Sequence, residues 1–263
     1  MAGIWESQNK VIPGAYINIL TNTPLSITAG DRGTVVLAQE LSVGTDNEIY
    51  EITVNNAAYP DNATAADKKL AGLALLGAKT VLLYKLPASH TDEHVEAMLT
   101  ALKTVDFDVL VYPYAKSGTG SSTAQQTIAT WIKSIQDDEG KNVTVVLPNY
   151  TADSEYVINS VQGVTLSDGS NLTAYETAAW IGGITAGASV TKSNTGQKFV
   201  GAIDVSPRMT RSEQETAIKA GKFLLDVDRS QNVTVVADIN SLTTTNQTKS
   251  DILKQNRSVR TAC

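Results

Sequence analysis

The feature that most constrains the fold of this chain is a regular alternation of short apolar runs with helix-like segments. Two segments, Thr91–Thr104 and Ser122–Asp137, carry apolar residues at positions i, i+3, i+4 and i+7, which predicts amphipathic helices. The apolar runs around them are nearly continuous, as in strands buried on both faces of a sheet. The alternation predicts an α/β fold, an α/β/α sandwich with a mostly parallel sheet. The runs are FDVLVYPY (107–114), NVTVVLPNY (142–150), KFVGAIDVS (198–206) and NVTVVADIN (232–240).

The first 30 residues predict an extended N-terminal arm followed by a linker. Pro13 fixes its own φ and disfavours the helical conformation at Ile12, while Gly14 adds backbone freedom. The next segment, TNTPLSITAGDRG (21–33), is punctuated by Thr, Pro and Gly, as is typical of a linker. We expect hinge movement of the arm at Gly14, Pro24 and Gly30.

A small β-rich unit precedes the long alternation. Two strand-like runs, TVVLAQELS (34–42) and NEIYEITV (47–54), are separated by residues typical of a turn. A segment with helical period begins at Asn62 and is followed by the apolar run KTVLLYKLP (79–87). The predicted organisation is an arm and linker over 1–30, a small β-rich unit with a helix over 31–88, and an α/β domain over 89–247.

Charge and composition make some partners improbable. The 263 residues include 21 basic and 27 acidic side chains, a net charge of −6 that is spread along the chain. This distribution argues against a nucleic-acid groove or an anionic membrane surface as partner. No secretory leader pattern follows Met1, and the uncharged run Thr177–Thr191 is too short and polar to span a bilayer. We therefore expect a protein made and kept in the cytoplasm.

The two histidines, His90 and His94, are four residues apart, a spacing that could place two nitrogens on one helical face for a metal ion. The zinc-protease pattern requires Glu directly after the first His, but Thr91 stands there and no third ligand is near. If Thr91 is the N-cap, His90 lies outside the helix. We interpret the segment as an ordinary solvated helix start and predict no metal and no cofactor.

The loop Lys116–Thr123, KSGTGSST, lies between a predicted strand and a predicted helix, so its backbone amides could hold an anion. It lacks the spacings of the P-loop and of the dinucleotide fingerprint, so a plain connection is the favoured interpretation. A nucleotide- or small-ligand-binding α/β enzyme that uses this loop remains the alternative. The chain contains no G-x-S-x-G motif, which argues against a serine hydrolase of that type.

Three glycines fall within the apolar segment AAWIGGITAGAS. Gly182, Gly183 and Gly187 lower helix propensity by about 1 kcal/mol each, so their presence in a helix needs a reason. We predict that they allow this helix to approach a neighbour closely. Helix starts are indicated by capping-box pairs, Ser122 with Gln125 and either Thr210 with Glu213 or Ser212 with Glu215.

Several segments, in this order along the chain, resemble the contractile tail sheath proteins of myophages, PBSX-like defective prophages and R-type bacteriocins. None is a catalytic signature, and the resemblance lies in their order and spacing over nearly the whole chain. The segments are VIPGAYINI (11–19), AAWIGGITAG (178–187), SPRMTRSEQETAIKAGKFLLDVD (206–228), DINSLTT (238–244) and KSDILKQNRSVRTA (249–262).

The resemblance implies a structural role. It implies that copies polymerise as a helical sheath around a tail tube and contract by subunit rearrangement, without enzymatic activity or cofactor. It implies that 89–247 is a sheath core domain called subtilisin-like for its topology, without a protease site. It also implies a C-terminal domain that starts near Ser250, so that residues 248–263 are the start of a truncated domain. The junction residues are Ile252, Leu253 and Val259.

The resemblance also gives the arm a role. It implies that the arm adds a strand to a sheet in a neighbouring subunit, the β-augmentation mode. The implied partners are further copies of the chain, a tail tube protein bound through the missing C-terminal domain, and baseplate and neck proteins. The implied location is a virion tail or bacteriocin particle, assembled in the bacterial cytoplasm. The expected interface residues of the arm are Val11, Ile12, Pro13, Tyr16, Ile17 and Ile19.

Overall fold

The computed structural model of the protein describes residues 33–55, 57–114, 121–188 and 193–244. The helices are α1 Ala65–Leu75, α2 Asp92–Leu102, α3 Ser121–Glu139, α4 Ala174–Ala186 and α5 Arg211–Lys219. The longer strands are β1 Thr34–Glu40, β2 Ile49–Thr53, β3 Thr80–Leu86, β5 Thr144–Pro148 and β9 Ala202–Ser206, and the shorter ones are β4 Val109–Val111, β6 Val157–Ser160, β7 Gly163–Leu166, β8 Asn171–Leu172, β10 Lys222–Phe223, β11 Leu225–Val227 and β12 Val233–Val235.

A mostly parallel sheet forms the centre of the described part, as the sequence predicts. Its strand order is β10-β6-β5-β4-β1-β3-β2, and all neighbours are parallel except β2, which pairs antiparallel with β3 at one edge. The predicted small β-rich unit contributes β1, β2 and β3 to this same sheet. Strands before and after residue 88 therefore belong to the same sheet.

Two of the four apolar runs lie outside the central sheet. FDVLVYPY and NVTVVLPNY contain its strands β4 and β5, whereas KFVGAIDVS contains β9 and NVTVVADIN contains β12. β9 pairs antiparallel with β7 in the sheet β8-β7-β9, and β12 pairs antiparallel with β11. An apolar run indicates that a strand is buried but does not indicate which strand lies beside it. The sequence therefore did not show that β9 and β12 belong to separate sheets.

The central sheet is covered by helices on both faces. Along β1, Val35 and Leu37 join the core cluster that contains α1 and α4, whereas Val36 and Ala38 join the cluster that contains α2 and α3. All four of these side chains are fully buried. Because successive side chains of a strand point to opposite faces, a continuous apolar run is needed to fill both cores.

Helix α4 packs against α1 through backbone atoms. A Cβ atom at Gly183 would lie 2.1 Å from the carbonyl oxygen of Ala74, and one at Gly187 would lie 1.9 Å from that of Gly77. On the sheet side, a Cβ at Gly182 would lie 2.2 Å from the Val111 Cγ2. The prediction that these glycines permit close approach is confirmed.

Capping boxes fix the starts of four helices. Thr91 is the N-cap of α2, and Thr210 with Glu213 caps α5, which decides between the two predicted pairs. Thr173 with Glu176 caps α4 in the same way. α3 begins at Ser121, one residue before the predicted start. Within the described residues, no helix combines the length and apolar character needed to cross a bilayer.

Asp67 joins the start of α1 to the loop after β1. Its carboxylate accepts hydrogen bonds from the backbone N–H and the hydroxyl of Ser42, at 2.9 and 2.6 Å, and from the same two groups of Thr64, at 2.8 and 2.7 Å. Burial alone would raise the pKa of Asp67, but these four hydrogen bonds together outweigh it and hold the pKa well below the usual 3.8.

Gly183→Ala tests the α1–α4 contact. The new methyl group would overlap the Ala74 carbonyl oxygen, so we expect the free energy of unfolding to fall by about 2–3 kcal/mol. The matched control is Gly72→Ala in α1, where a Cβ meets nothing within 4 Å, and where we expect a gain of about 0.5–1 kcal/mol. Urea unfolding at neutral pH measures both. Equal effects of the two substitutions would contradict the close contact.

Asp67→Asn tests the carboxylate at the start of α1. Because the folded-state pKa lies below the unfolded value, the stabilisation is complete above about pH 5, begins to be lost as the pH approaches and passes below 3.8, and is gone only below the folded-state pKa. We expect the variant to lose about 1–3 kcal/mol of stability at pH 7 and to show a smaller further loss between pH 6 and pH 3 than the unsubstituted protein. Urea unfolding at the two pH values checks this, with Asp61→Asn as control. Parallel pH dependence of both proteins would show that Asp67 is not the responsible group.

Candidate functional site at the carboxyl edge of the central sheet

Ligands of open α/β sheets usually bind at the carboxyl ends of strands, where neighbouring strands send their connections in opposite directions. β1 and β4 are such neighbours in this sheet. The chain leaving β1 leads by way of β2 to α1 on one face, and the chain leaving β4 leads to α3 on the other. The crevice between the carboxyl ends of β1 and β4 is therefore the first place to look for a site.

Four side chains meet there. Glu40 ends β1, His90 follows β3, and Tyr112 and Tyr114 follow β4. The His90 Nδ1 lies 2.7 Å from the Glu40 Oε1, and the His90 backbone N–H donates to the same oxygen at 3.0 Å. The His90 Nε2 lies 2.6 Å from the Tyr112 hydroxyl, and the Glu40 N–H donates to the Tyr114 hydroxyl oxygen. We call these residues the carboxyl-edge cluster.

The rings of the carboxyl-edge cluster also pack against one another. The centroid of the His90 ring lies 5.7 Å from that of Tyr112 and 4.6 Å from that of Tyr114, both edge-on. Burial raises the pKa of the Tyr112 hydroxyl, and the negative charges of Asp92 and Glu40 raise it further. Burial also raises the pKa of Tyr114. Both phenols are therefore neutral hydrogen-bonding groups at physiological pH.

The side chain of His90 is largely buried, so its interpretation as part of a solvated helix start is wrong. It lies outside α2, as predicted, but its side chain is only 9% exposed and both ring nitrogens contact other residues of the cluster. His94 is engaged elsewhere, since its Nδ1 accepts from the Thr91 N–H at 3.0 Å. Among the described residues, no group of three or more His, Cys, Asp or Glu side chains could hold a metal ion.

The carboxyl-edge cluster places hydrogen-bonded side chains at this crevice. Its hydrogen bonds connect the ends of three neighbouring strands, β4, β1 and β3. Such an arrangement can fix the strand ends relative to one another. Sequence reasoning missed Glu40, Tyr112 and Tyr114, although all three stand at or just after the end of an apolar run.

Most other predicted site residues lie outside the described part of the chain. These are the arm residues Val11, Ile12, Pro13, Tyr16, Ile17 and Ile19, the hinges Gly14, Pro24 and Gly30, the junction residues Ile252, Leu253 and Val259, and residues 116–120 of the predicted loop. The described side of that loop is anchored by Gln125, which donates to the carbonyl oxygens of Tyr114 at 3.2 Å and Pro148 at 3.0 Å.

A second polar contact holds the end of the described chain. Asp153 accepts hydrogen bonds from the backbone N–H groups of Thr243 and Thr244, at 2.6 and 2.8 Å, and from both threonine hydroxyls. These bonds, those of Thr244 foremost, lower the pKa of Asp153 below its usual range. We call this contact the Asp153 clasp. It was not predicted, because 90 residues separate Asp153 from Thr243.

Large apolar side chains remain exposed at a few places on the described surface. Val54 is 76% exposed just after the edge strand β2, and Val200 and Ile203 are 69% and 48% exposed on either side of Gly201. Leu76, 56% exposed, caps the C-terminal end of α1.

Tyr114→Phe tests the carboxyl-edge cluster. Removal of the hydroxyl leaves the Glu40 N–H without its acceptor, so we expect the free energy of unfolding to fall by about 1–3 kcal/mol. Tyr150→Phe is the matched control, because Tyr150 packs against the same core and its hydroxyl makes no hydrogen bond within the described chain. We expect the control to change stability by less than about 0.5 kcal/mol. Thermal and urea unfolding measure both variants. If Tyr114→Phe left the free energy of unfolding unchanged, the Tyr114 hydroxyl would not contribute to stability.

The comparisons with known proteins agree on one family. Residues 88–241 match the family model described as the phage tail sheath protein central domain. A tail sheath protein of Clostridium phage phiCD119 is 29% identical over 165 residues, which cover 62% of this chain and 44% of that protein. The chain spans only about half the length of its curated relatives, between 34% and 54%.

Solved structures show the same fold. The sheath tail protein DSY3957 of Desulfitobacterium hafniense is 26% identical, with a TM-score of 0.79 over 94% of this chain and 80% of that one. The helical sheath of the anti-feeding prophage in its contracted state is 18% identical, with a TM-score of 0.63 over 96% of this chain and 72% of that one. The family model covers more than half of the chain. The chain belongs to the phage tail sheath protein family.

Proposed function

We propose that this protein is a structural subunit of a contractile injection apparatus, in which copies assemble as a helical sheath around a tail tube and contract by rearranging. The observation that carries this proposal is the match of the sheath family model over residues 88–241. The likeness to the contracted sheath of the anti-feeding prophage supports it at the level of the fold. Contraction would be a rigid-body repacking of subunits between two arrangements.

The carboxyl edge is compatible with a structural role. At the position where α/β proteins usually bind ligands, Glu40, His90, Tyr112 and Tyr114 make hydrogen bonds within the cluster. A nucleotide- or small-ligand-binding enzyme that uses the loop Lys116–Thr123 is not favoured, because the family and the solved structures that match are those of sheath proteins.

The topology of the core domain is proposed to be subtilisin-like without a protease site. The parallel sheet with helices on both faces is compatible with that topology. A serine protease needs a serine hydroxyl at the Nε2 of a histidine whose Nδ1 faces a carboxylate. The Nδ1 of His90 faces Glu40, but its Nε2 faces the Tyr112 hydroxyl and not a serine, and the Nδ1 of His94 accepts from the Thr91 N–H.

Assembly is proposed to proceed through the arm. A strand formed by the arm residues Val11 to Ile19 would pair with a sheet of a neighbouring copy, with Gly14, Pro24 and Gly30 as hinges. Head-to-tail contacts of this kind do not close on themselves and so build tubes. The exposed side chains of Val54, Val200 and Ile203 offer further contact surface. The domain division at residues 30, 88 and 247 belongs to this proposal.

The remaining partners follow from the same proposal. The tail tube protein would be bound through a C-terminal domain that continues from the junction at Ile252, Leu253 and Val259. Baseplate and neck proteins would contact the two ends of the sheath. The particle would be a phage tail or a bacteriocin, with assembly in the bacterial cytoplasm. The tail sheath protein of Clostridium phage phiCD119 supports the location in a tail.

Electron microscopy of negatively stained protein tests the proposal. The chain is compared with a version that continues through the further residues that its relatives carry. We expect tubes or ring stacks from the continued version, because it supplies the acceptor sheet for the arm. Folded monomers from the continued version, across the conditions in which its relatives assemble, would contradict the sheath function.

A deletion in the continued version tests the arm. Removal of residues 1–19 deletes the proposed strand, so we expect a folded monomer that forms no tubes. Removal of residues 1–7 alone keeps Val11 to Ile19 and is the matched control, which we expect to assemble. Circular dichroism confirms folding in both. Normal tubes from the longer deletion would contradict the role of the arm in assembly. They would not contradict the sheath function.

A further inference from the structure

A groove runs along one face of α3. It has a volume of about 800 Å³ and lies between α3 and the segment Tyr150–Tyr156. On α3 it follows one helical face, from Gln126 to Asp137, which is a length of about 16 Å at 1.5 Å per residue. We call it the α3 groove. Its size and length suit one face of a short helix.

The described chain ends inside this groove. Leu242 and Thr244 belong to its lining, and Thr244 is the last described residue before the C-terminal 19 residues. The Asp153 clasp holds this end in place, because the Asp153 carboxylate accepts from both Thr243 and Thr244. The segment that follows Thr244 therefore starts at the groove.

The lining combines apolar surface with negative charge. Tyr150, Ala152 and Tyr156 are half-buried on one side, and Ala129 is half-buried on α3. The charged lining residues are Asp137, Asp153 and Glu155, which are acidic, and Lys133, which is basic. A ligand that fits this lining is apolar on one face and basic beside it.

Residues 245–263 have that character. Ser250 is the predicted N-cap of a helix in which Ile252, Leu253 and Val259 share a face. About 12 helical residues span about 18 Å, close to the length of the groove. An isolated helix of this size is marginal in water and gains from an apolar surface to cover it. The segment 245–263 carries one acidic side chain, Asp251. Its basic residues are Lys249, Lys254, Arg257 and Arg260.

We propose that residues 245–263 of the same chain dock in the α3 groove. The apolar face with Ile252 and Leu253 covers the tyrosine side of the groove, and the basic side chains lie against Asp137 and Glu155. The five residues Thr245–Lys249 extend up to about 17 Å, enough to place Ser250 at either end of the groove. The docking concerns a single copy of the chain and does not depend on sheath assembly.

A charge exchange in the whole 263-residue chain tests the docking. One variant reverses the groove, Asp137→Lys with Glu155→Lys, a second reverses the segment, Lys254→Glu with Arg257→Glu, and a third carries all four substitutions. Hydrogen–deuterium exchange of peptides covering residues 250–260 is the readout, because docking slows amide exchange there. Peptides covering β4 and β5 report whether the fold is retained.

We expect the amides of residues 250–260 to exchange about tenfold faster in either half-reversed variant, and to regain most of their protection in the fourfold variant. Asp138→Lys is the control for the substitution of Asp137, because it makes the charge change of Asp137→Lys one residue outside the lining and should leave exchange unaltered. Exchange as fast as in a free peptide in the unsubstituted chain, or reversals without effect, would overturn the docking. Protection that increases with protein concentration would also overturn it, because the groove would then hold the segment of a second copy.

Discussion

The contact between α1 and α4 is the constraint on which much of the described structure depends. Gly77, Gly183 and Gly187 let the two helix backbones approach so closely that any side chain at these positions would overlap a neighbouring backbone atom. α4 is buried from Thr177 to Ala186 and follows the small sheet that contains β7 and β8. By lying against both the central sheet and the strands β7 and β8, it holds the small sheet β8-β7-β9 next to the large parallel one.

The carboxyl edge shows how the same α/β scaffold suits a protein whose family role is structural. The crevice is in the position used for ligands, but a histidine, a glutamate and two tyrosines occupy it and pair with one another. Their hydrogen bonds join the ends of three neighbouring strands, β4, β1 and β3. This edge of the central sheet is therefore held by side-chain contacts as well as by the hydrogen bonds between the strands.

The sequence predicted what depends on local pattern. The helix starts at Thr91 and Thr210, the strands β4 and β5, and the role of Gly183 were all indicated by residues near one another in the chain. The burial of His90 was not predicted, because its partners Glu40 and Tyr112 are 50 and 22 residues away. The assignment of β9 and β12 to small antiparallel sheets depends on strand pairing, which apolar content does not encode.

The backbone contact of α1 and α4 also has a mechanical meaning. Where helices meet through long side chains, rotamer changes can absorb a small displacement, but the glycines of this contact have no side chain to rotate. A force applied to α4 is therefore transmitted to α1 and the sheet with little internal yielding. In the proposed sheath, such stiffness would pass a displacement of α4 on to α1 instead of absorbing it within the subunit.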